Sequence, residues 1–458
     1  MALSKPFRQT SQAFVPETDL PTLTSRPIER AQGVVRAPGD KSCSHRALIL
    51  GGLANGTSRF TGLLEGDDVR RTGEAMAALG VGVVCEGPGV WTIDGVGQGG
   101  LSSPKSALDF GNSGTGSRLM MGVLAGYDLA AQMTGDDSLS SRPMRRVITP
   151  LTEMGATFET SDGGRLPLTM HGKAPLAAID FAPPQASAQV KSAILLAGLR
   201  ADGETRVREA KPTRDHTERM LRRFGVEVGV SRNDAGVRTV GISGGQSLAA
   251  VETSIPGDPS SAAFLLAAGL ISPKGNVLVE SVMSNETRDG FLRVAALMGA
   301  ELGAEETGDA AGERLIDVQA LSSELRGVEV PSGFVPAMID EFPILAVLAA
   351  VATGTTTVTG AAELRVKESD RIAAIVAMLR VNGVRAEETE DGFVIEGCGG
   401  RVPGGGVVET QHDHRIAMSA LVLGTAAKLP VTIDDADMIA TSYPEFVDHM
   451  RRIGADIH

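Results

Sequence analysis

Cations, hydroxyls and two carboxylates recur at matching points along this chain, and their spacing limits the chemistry open to it. The stretch "PGDKSCSHR", Pro38 to Arg46, puts Lys41, Ser42 and Arg46 where a helix is about to begin. "GNSGTGSR", Gly111 to Arg118, offers a Gly-rich turn with Asn112, Gly114 and Arg118 beside it. Arg142, Arg214, Lys367, Arg371 and Arg415 lie near other helix starts or equivalent points. A helix N-terminus presents free N–H groups and the positive end of its dipole, so cations gathered there suit a polyanion. Asp340 opens "DEFPILAVLAA", and Glu368 lies inside "RVKESDR". A carboxylate among cations stays ionised and can accept a proton from a substrate hydroxyl; one inside an anion clamp can serve as acid or base.

Plainer readings stand beside these. Asp340 needs no function beyond capping a helix. "RVKESDR" reads equally as a solvated helix face, with Lys367 and Arg371 four apart on one side. A lone Arg on an acidic chain is ordinary surface charge. Recurrence at equivalent places is what favours an anion site. "GNSGTGSR" is not a nucleotide P-loop, because Ser117-Arg118 stands where Lys-Ser/Thr is required. "HDHR", His412 to Arg415, lacks the further His or Cys that a metal site needs. Cys43 has Lys41 and His45 as neighbours that could activate a thiolate, but at two residues from Lys41 on a helix it points elsewhere, as a packed structural Cys would.

These groups need elements to position them. Internal repeats reveal the elements. Six amphipathic segments end in a glycine followed by an alternating run, at Gly80, Gly155, Gly225, Gly299, Gly383 and Gly454, separated by 75, 70, 74, 84 and 71 residues. Glycine after a helix is the usual left-handed stop, so each marks a helix end and a strand start. A second set of segments, almost wholly apolar, recurs at the same period and opens near Ser42, Asn112, Ser187, Asp258, Asp340 and Asp413. A helix apolar all round is buried, and Ser, Asn and Asp are good N-caps. Runs such as "ETRVRE", "GNVLVES" and "PVTIDD" supply strands. Six α/β units are too large for one core, so the expectation is two lobes of three units. The boundaries fall at 37–257 for one lobe and 258–458 plus about 31–36 for the other, with Pro/Gly junctions at both crossings. Residues 1–30 read as a flexible tail.

The chain has 458 residues, 42% of them hydrophobic, and a formal net charge of −13. That balance argues against a nucleic-acid or membrane-surface partner. No apolar run reaches the roughly 18 residues of a membrane helix. Three widely spaced cysteines fit neither a disulfide framework nor a zinc pattern, and suit a reducing cytoplasm.

The ordered motifs "PGDKSCSHR", "LLEGDDV", "GNSGTGSR", "RPM", "SAQVKSA", "TRDHTE", "DE" at 340–341, "RVKESDR" and "DHRIAM" resemble those of the 5-enolpyruvylshikimate-3-phosphate synthase family from about Gly33 to the C-terminus. The resemblance implies a two-lobe inside-out α/β barrel that closes on ligand. It also implies transfer of the enolpyruvyl group of phosphoenolpyruvate to the 5-hydroxyl of shikimate 3-phosphate, with release of phosphate and no cofactor. By the same resemblance, Lys41 touches both substrates, while Ser42, Arg46, Ser187, Ala188, Gln189 and Arg214 hold shikimate 3-phosphate. Asn112, Gly114 and Arg142 bound the phosphoenolpyruvate pocket, with Lys367, Arg371 and Arg415 reaching in from the other lobe. Asp340 is implied as base, and Glu368, assisted by Lys41, as proton donor. The protein would be a cytoplasmic monomer. Ala188, Arg214 and Thr441, which stands where many members carry a Lys, resemble the subgroup tolerant of glyphosate, whereas Gly114 keeps the small residue of sensitive members. The alternatives are a transferase acting on UDP-N-acetylglucosamine, which uses a loop Cys as its acid, and a sugar-phosphate-binding protein without chemistry, which would need neither carboxylate. An RNA-end cyclase of related fold would want a basic surface.

Overall fold

The computed structural model of the chain describes residues 21–97 and 99–458. The apolar segments form six inner helices: Lys41–Leu53, Gly114–Ala125, Ala188–Gly198, Pro259–Ile271, Phe342–Val351 and His414–Thr425. Their outward and inward faces are both apolar, so they stay stable only when enclosed; each buried Leu, Ile or Val contributes roughly 1.5–3 kcal/mol. Six outer helices alternate with them: Asp67–Ala78, Arg145–Met154, His216–Arg223, Gly290–Leu297, Arg371–Val381 and Phe446–Arg452. The marker glycines follow these outer helices with φ of +97°, +115°, +84°, +91°, +78° and +102°. Only glycine adopts that backbone cheaply, so each stops its helix and turns the chain into a strand.

Each unit builds one small sheet, mixed in five units and antiparallel in the fifth, where Phe393–Glu396 lies between Thr355–Val358 and Arg385–Glu388. In the first, Asn55–Thr61 pairs antiparallel with Val90–Val96, which pairs antiparallel with Gly82–Gly87. The missing edge comes from the far end of the same half, because Glu252–Ser254 lies parallel to Asn55–Thr61. The fourth unit repeats the device: Arg30–Arg36 joins Lys274–Ser284 in parallel. The sixth takes Leu23–Arg26 between Val431–Ile433 and Asp456–Ile457.

Buried apolar side chains fall into two clusters. One runs from Cys43 to Ile255 with Met283 and Ala311; the other gathers Ile28 to Ala37 and Ala262 to Ile457. We take these as the cores of two lobes. The chain passes between them at "PGDKS" and "PGDPS", whose Gly39 and Gly257 form a β-bridge. Among the described residues no helix is long and apolar enough to cross a membrane.

Three local expectations are corrected. Of the expected tail, residues 1–20 lie outside the described residues, but Leu23–Arg26 is a strand rather than flexible chain: Thr24 exchanges both backbone hydrogen bonds with His458, at 2.7 and 3.0 Å, as the sixth sheet has no other strand for that place. Two inner helices start earlier or later than expected. Asp40, not Ser42, caps the first, accepting Cys43 N–H at 2.7 Å, which leaves Ser42 inside the first turn; Ser113, not Asn112, caps the second. Asp340 does not cap the fifth, where Glu341 takes the position without a side-chain cap bond; the cations around Asp340 compete for its oxygens more strongly than a backbone N–H does.

Candidate active site

The N-termini of inner helices from both lobes converge on one interlobe cleft. On the first lobe, Lys41 leaves the start of Lys41–Leu53 and pairs with Asp68 at 2.8 Å. Asn112, in the turn before Gly114–Ala125, accepts from Arg142 Nη2 at 2.7 Å and donates to Asp136 at 2.9 Å. Arg142 is thereby aimed across the cleft. Arg118 donates to Gln189 Oε1 at 2.8 Å and to Gly114 carbonyl at 3.2 Å, and Gln189 in turn donates to Thr115 at 3.0 Å. Ser187 caps Ala188–Gly198, placing Ala188 and Gln189 in its first turn.

On the second lobe the chain arranges Lys367, Glu368 and Arg371 differently from one helix face. Lys367 lies in the loop after a single helical turn and pairs back to Glu363 at 2.9 Å. The helix begins only at Arg371, capped by Asp370. A backbone near φ −82° and ψ −147° at Lys367 breaks the four-residue register that the spacing suggested. Arg371 is fully buried and acts as a junction: Nη2 to Glu368 at 2.5 Å, Nε to Asp413 at 2.8 Å and Nη1 to Asp340 at 3.3 Å. Arg415 Nη1 donates to the Asp340 carbonyl at 3.2 Å.

Ion pairs cross the cleft. Arg214 Nη2 meets Asp340 Oδ2 at 2.6 Å, and Arg142 Nη1 lies 3.8 Å from Glu368 Oε1. Gly66 of the first lobe packs on the backbone of Thr441 of the second. The lobes are therefore closed on one another. A cleft of about 410 Å³ remains beside Arg214, walled by Lys211 and Thr213 from one lobe and by Glu286, Thr287 and Ser332 from the other.

Of the residues singled out from sequence, Arg214 lines this cavity, and Asp340, Arg371, Arg415, Glu368 and Arg142 are tied to it through the ion pairs and hydrogen bonds above, whereas Lys41, Asn112, Gly114, Gln189 and Lys367 lie at the helix starts and loop already described. Arg46 is turned into the protein. It is 4% exposed and donates to Thr217 at 2.7 Å, Ser192 at 2.8 Å and the Ser42 carbonyl at 2.8 Å. Thr441 points its hydroxyl back to the Met438 carbonyl at 2.7 Å. Cys43 is fully buried and burial pushes its thiol well above the ordinary range, which agrees with a packed structural residue.

The electrostatics separate the two carboxylates from ordinary acids. Burial opposes ionisation of Asp340, but Arg214, Arg415, Lys367 and Arg371 outweigh it and hold its carboxyl well below the usual range. Burial likewise opposes ionisation of Glu368, and the charges of Arg371 and Arg142 override it. Both are thus anions in the ligand-free cleft. They occupy cations that a polyanionic ligand would otherwise claim, so the empty site is self-neutralised. Burial and the nearby Lys41 and Arg415 push His414 down to about 3, and its Nε2 has no hydrogen-bond partner.

Sequence reasoning missed Asp68 and His414 as members of the site. Asp68 belongs to the quoted "LLEGDDV", but nothing in the spacing shows that it reaches Lys41, 27 residues away in sequence. His412 and His414 were weighed together only as a weak metal pair, and the fold separates them: His412 is exposed and meets Asp435 at 3.2 Å, while His414 is buried beside the cations. Cys43, His216 and Glu313 come within 4.8 Å of one another at their ligating atoms. Glu313 is already committed there to His216 at 2.8 Å, Asn285 at 2.9 Å and Arg219 at 3.4 Å, so the group is a hydrogen-bonded network.

Comparison with known proteins agrees with this geometry. The family model for EPSP synthase (3-phosphoshikimate 1-carboxyvinyltransferase) matches residues 25–450. A 3-phosphoshikimate 1-carboxyvinyltransferase of Hyphomonas neptunium is 67% identical over 434 residues, covering 95% of this chain and 99% of the relative. That of Phenylobacterium zucineum is 54% identical over 435 residues, covering 95% of each. An EPSP synthase structure from Acinetobacter baumannii superposes with a TM-score of 0.85 at 43% identity, covering 95% of this chain and 99% of that one. The enolpyruvyl transferase NikO from Streptomyces tendae shares the fold, with a TM-score of 0.74 at 18% identity over 96% of this chain and 99% of its own. With its six repeated α/β units, its closed interlobe cleft and this likeness along nearly its whole length, the chain belongs to the EPSP synthase family.

Proposed function

We propose that this chain transfers the enolpyruvyl group of phosphoenolpyruvate to the 5-hydroxyl of shikimate 3-phosphate and releases phosphate. The observation that carries the reading is the ring of cations from both lobes around two ionised carboxylates, Asp340 and Glu368. Both substrates are polyanions, and a cleft with Lys41, Arg142, Arg214, Lys367, Arg371 and Arg415 matches them. A protein that only captured sugar phosphates would gain nothing from two anions in that place.

The chemistry divides into addition and elimination. Asp340 accepts the proton of the 5-hydroxyl as that oxygen bonds to the central carbon of phosphoenolpyruvate. Glu368, assisted by Lys41, delivers a proton to the methylene carbon. In the second step the methyl carbon so formed returns a proton to the Glu368 carboxylate, the electrons of that C–H bond form the new double bond, the bond to the phosphate oxygen breaks, and phosphate leaves the enol ether. Glu368 is ionised in the empty cleft, so it must gain its proton as ligand binds. The incoming phosphate and carboxylate take Arg371 and Arg142, which removes the charges that depress its pKa. Arg142, Asn112 and Gly114 border the phosphoenolpyruvate pocket, with Lys367, Arg371 and Arg415 opposite. Lys41, Ser42, Arg46, Ser187, Ala188, Gln189 and Arg214 form the shikimate 3-phosphate side. Closure expels water and brings the two sets together. This chemistry requires no metal or organic cofactor. We take the protein to act as a cytoplasmic monomer without nucleic-acid partners. Ala188, Arg214 and Thr441 favour tolerance of glyphosate, and Gly114 opposes it.

Phosphate release from phosphoenolpyruvate and shikimate 3-phosphate tests the reading, and its absence in active conditions would sink it. Asp340→Ala and Glu368→Ala are expected to fold and bind shikimate 3-phosphate yet lose most turnover. A near-normal kcat in either would remove that residue from its role.

The UDP-N-acetylglucosamine alternative loses its acid here. Cys85 is in the strand Gly82–Gly87 and Cys398 lies just beyond Phe393–Glu396, both away from the cationic helix starts, and Cys43 is buried.

A further inference from the structure

The two lobe crossings carry the same short sequence, Pro38-Gly39-Asp40 and Pro256-Gly257-Asp258, each followed after one residue by Ser. They lie back to back. Asp40 N–H donates to the Pro256 carbonyl at 2.7 Å, and Asp258 N–H donates to the Pro38 carbonyl at 2.8 Å. Each aspartate caps an inner helix, one per lobe. One guanidinium joins them. Arg288, 3% exposed, gives Nη1 to Asp40 at 2.8 Å and Nη2 to Asp258 at 3.0 Å. Nη2 also donates to Ser260 Oγ at 2.9 Å, and Ser260 bonds the carboxylate of Glu341. Nη1 lies 3.3 Å from His216 Nε2.

Arg288 is itself held in place. Asn285 accepts the Thr287 N–H at 2.9 Å to shape the turn, and its amide donates to Asp215 of the first lobe at 2.8 Å. The ends of this array are the two sides of the cleft. Asp40 immediately precedes Lys41 and Ser42, and Glu341 immediately follows Asp340. Neither substrate needs Arg288, because all of its polar contacts are to the crossings and the helix starts. A buried Arg linking two aspartates of different lobes costs desolvation, so hydrophobic packing would stabilise that spot as well or better. A planar fork that meets two carboxylates at once does what packing cannot, which is to set their separation and angle.

We propose that Arg288 is a positioning residue that pins the two crossings together and so holds Lys41 on one lobe in register with Asp340 on the other. The inference deepens the reaction proposed above and rests on it for the kinetic arm of its test. Reacting groups displaced by about 1 Å lose on the order of a hundredfold in rate. Arg288→Gln is therefore expected to lower kcat by at least about tenfold, with the Kd for shikimate 3-phosphate measured by calorimetry changed less than about twofold, since that ligand sits on one lobe. Arg288→Lys keeps the charge without the fork and is expected to recover only part of kcat. Small-angle scattering of the ligand-free Gln variant is expected to show a wider spread of lobe separations than wild type. A folded Arg288→Gln protein with kcat within about twofold of wild type, or with its whole loss in shikimate 3-phosphate affinity, would overturn the proposal. Should that variant fail to fold, Asp258→Asn decides: it keeps a side-chain oxygen for the helix cap but removes the charge that Arg288 grips on the second lobe, and a kcat within about twofold of wild type there overturns the proposal equally. If wild-type protein released no phosphate, the proposed function would fall, and an unchanged scattering profile would then count against the pin by itself.

Discussion

Adding one methyl group at Gly114 should weaken phosphoenolpyruvate binding and leave shikimate 3-phosphate binding almost untouched. Gly114 is the first residue of its inner helix and its φ is not positive, so alanine fits the backbone. Helix propensity alone would make alanine better by roughly 0.5–1 kcal/mol. Space decides the other way. A Cβ there would lie 2.8 Å from Arg118 Nη1, 3.3 Å from Arg142 Nη1 and 3.7 Å from Leu139 Cδ1. Reaching ordinary contact near 3.4 Å requires Arg118 to move by about 0.6 Å. That movement strains its bonds to Gln189 at 2.8 Å and to the Gly114 carbonyl at 3.2 Å. Arg142 must shift as well, and it is the group aimed at the phosphoenolpyruvate side. A charge-assisted hydrogen bond is worth about 1.5–3 kcal/mol, so losing half of one raises KM for phosphoenolpyruvate by about 4- to 12-fold. Steady-state kinetics of Gly114→Ala with each substrate varied in turn checks this, alongside a thermal melt expected within about 0.5 kcal/mol of wild type. Equal KM values for phosphoenolpyruvate in the two proteins would refute the steric reasoning. A rise confined to shikimate 3-phosphate would show that Arg118 serves the other substrate.

The depressed pKa of Glu368 predicts proton uptake when both substrates bind, larger near pH 6 than near pH 8 because more of the released carboxylate then protonates; calorimetry in buffers of different ionisation enthalpy measures it, and Glu368→Gln should abolish it. The same depression has a stability consequence: ionised Glu368 and Asp340 stabilise the fold above the ordinary carboxylate pKa of about 4, and this contribution fades as pH falls through their lower folded values. The Tm of Asp340→Asn should therefore depend less on pH below about 4 than that of wild type. Exposed Cys85 and Cys398 should react with a thiol reagent in the native protein while buried Cys43 reacts only on unfolding; early labelling of all 3 thiols would contradict the packing of Cys43. Thr24→Pro removes an N–H that donates to His458 at 2.7 Å and should lower Tm by several degrees if Leu23–Arg26 is an integral strand.

The repeat architecture was legible in the sequence because its markers are local. Left-handed glycine after an amphipathic run is a property of the backbone, and all six marker glycines adopt it. Continuous apolarity likewise predicts burial whatever the neighbours are, and the six inner helices are buried. Caps were read only to within a residue or two, since Asp40 against Ser42, or Ser113 against Asn112, differ by reach rather than by type. Strand Leu23–Arg26 was invisible, because its partners are more than 400 positions away in sequence.

For the site, residue type and recurrence pointed to a polyanion cleft, and family motifs named its members. Composition could not show what those members do to one another. Only the fold brings Arg214 to Asp340 and Arg142 toward Glu368, where they join Arg371, Arg415 and Lys367 in keeping the two acids ionised in the empty cleft. Only the fold turns Arg46 inward, separates Lys367 from the helix of Arg371, and sets Arg288 between two aspartates 218 residues apart. Local propensity acts over a few residues along the chain. Charge pairing acts over a few ångströms through space, and the sequence holds no measure of that distance until the lobes have closed.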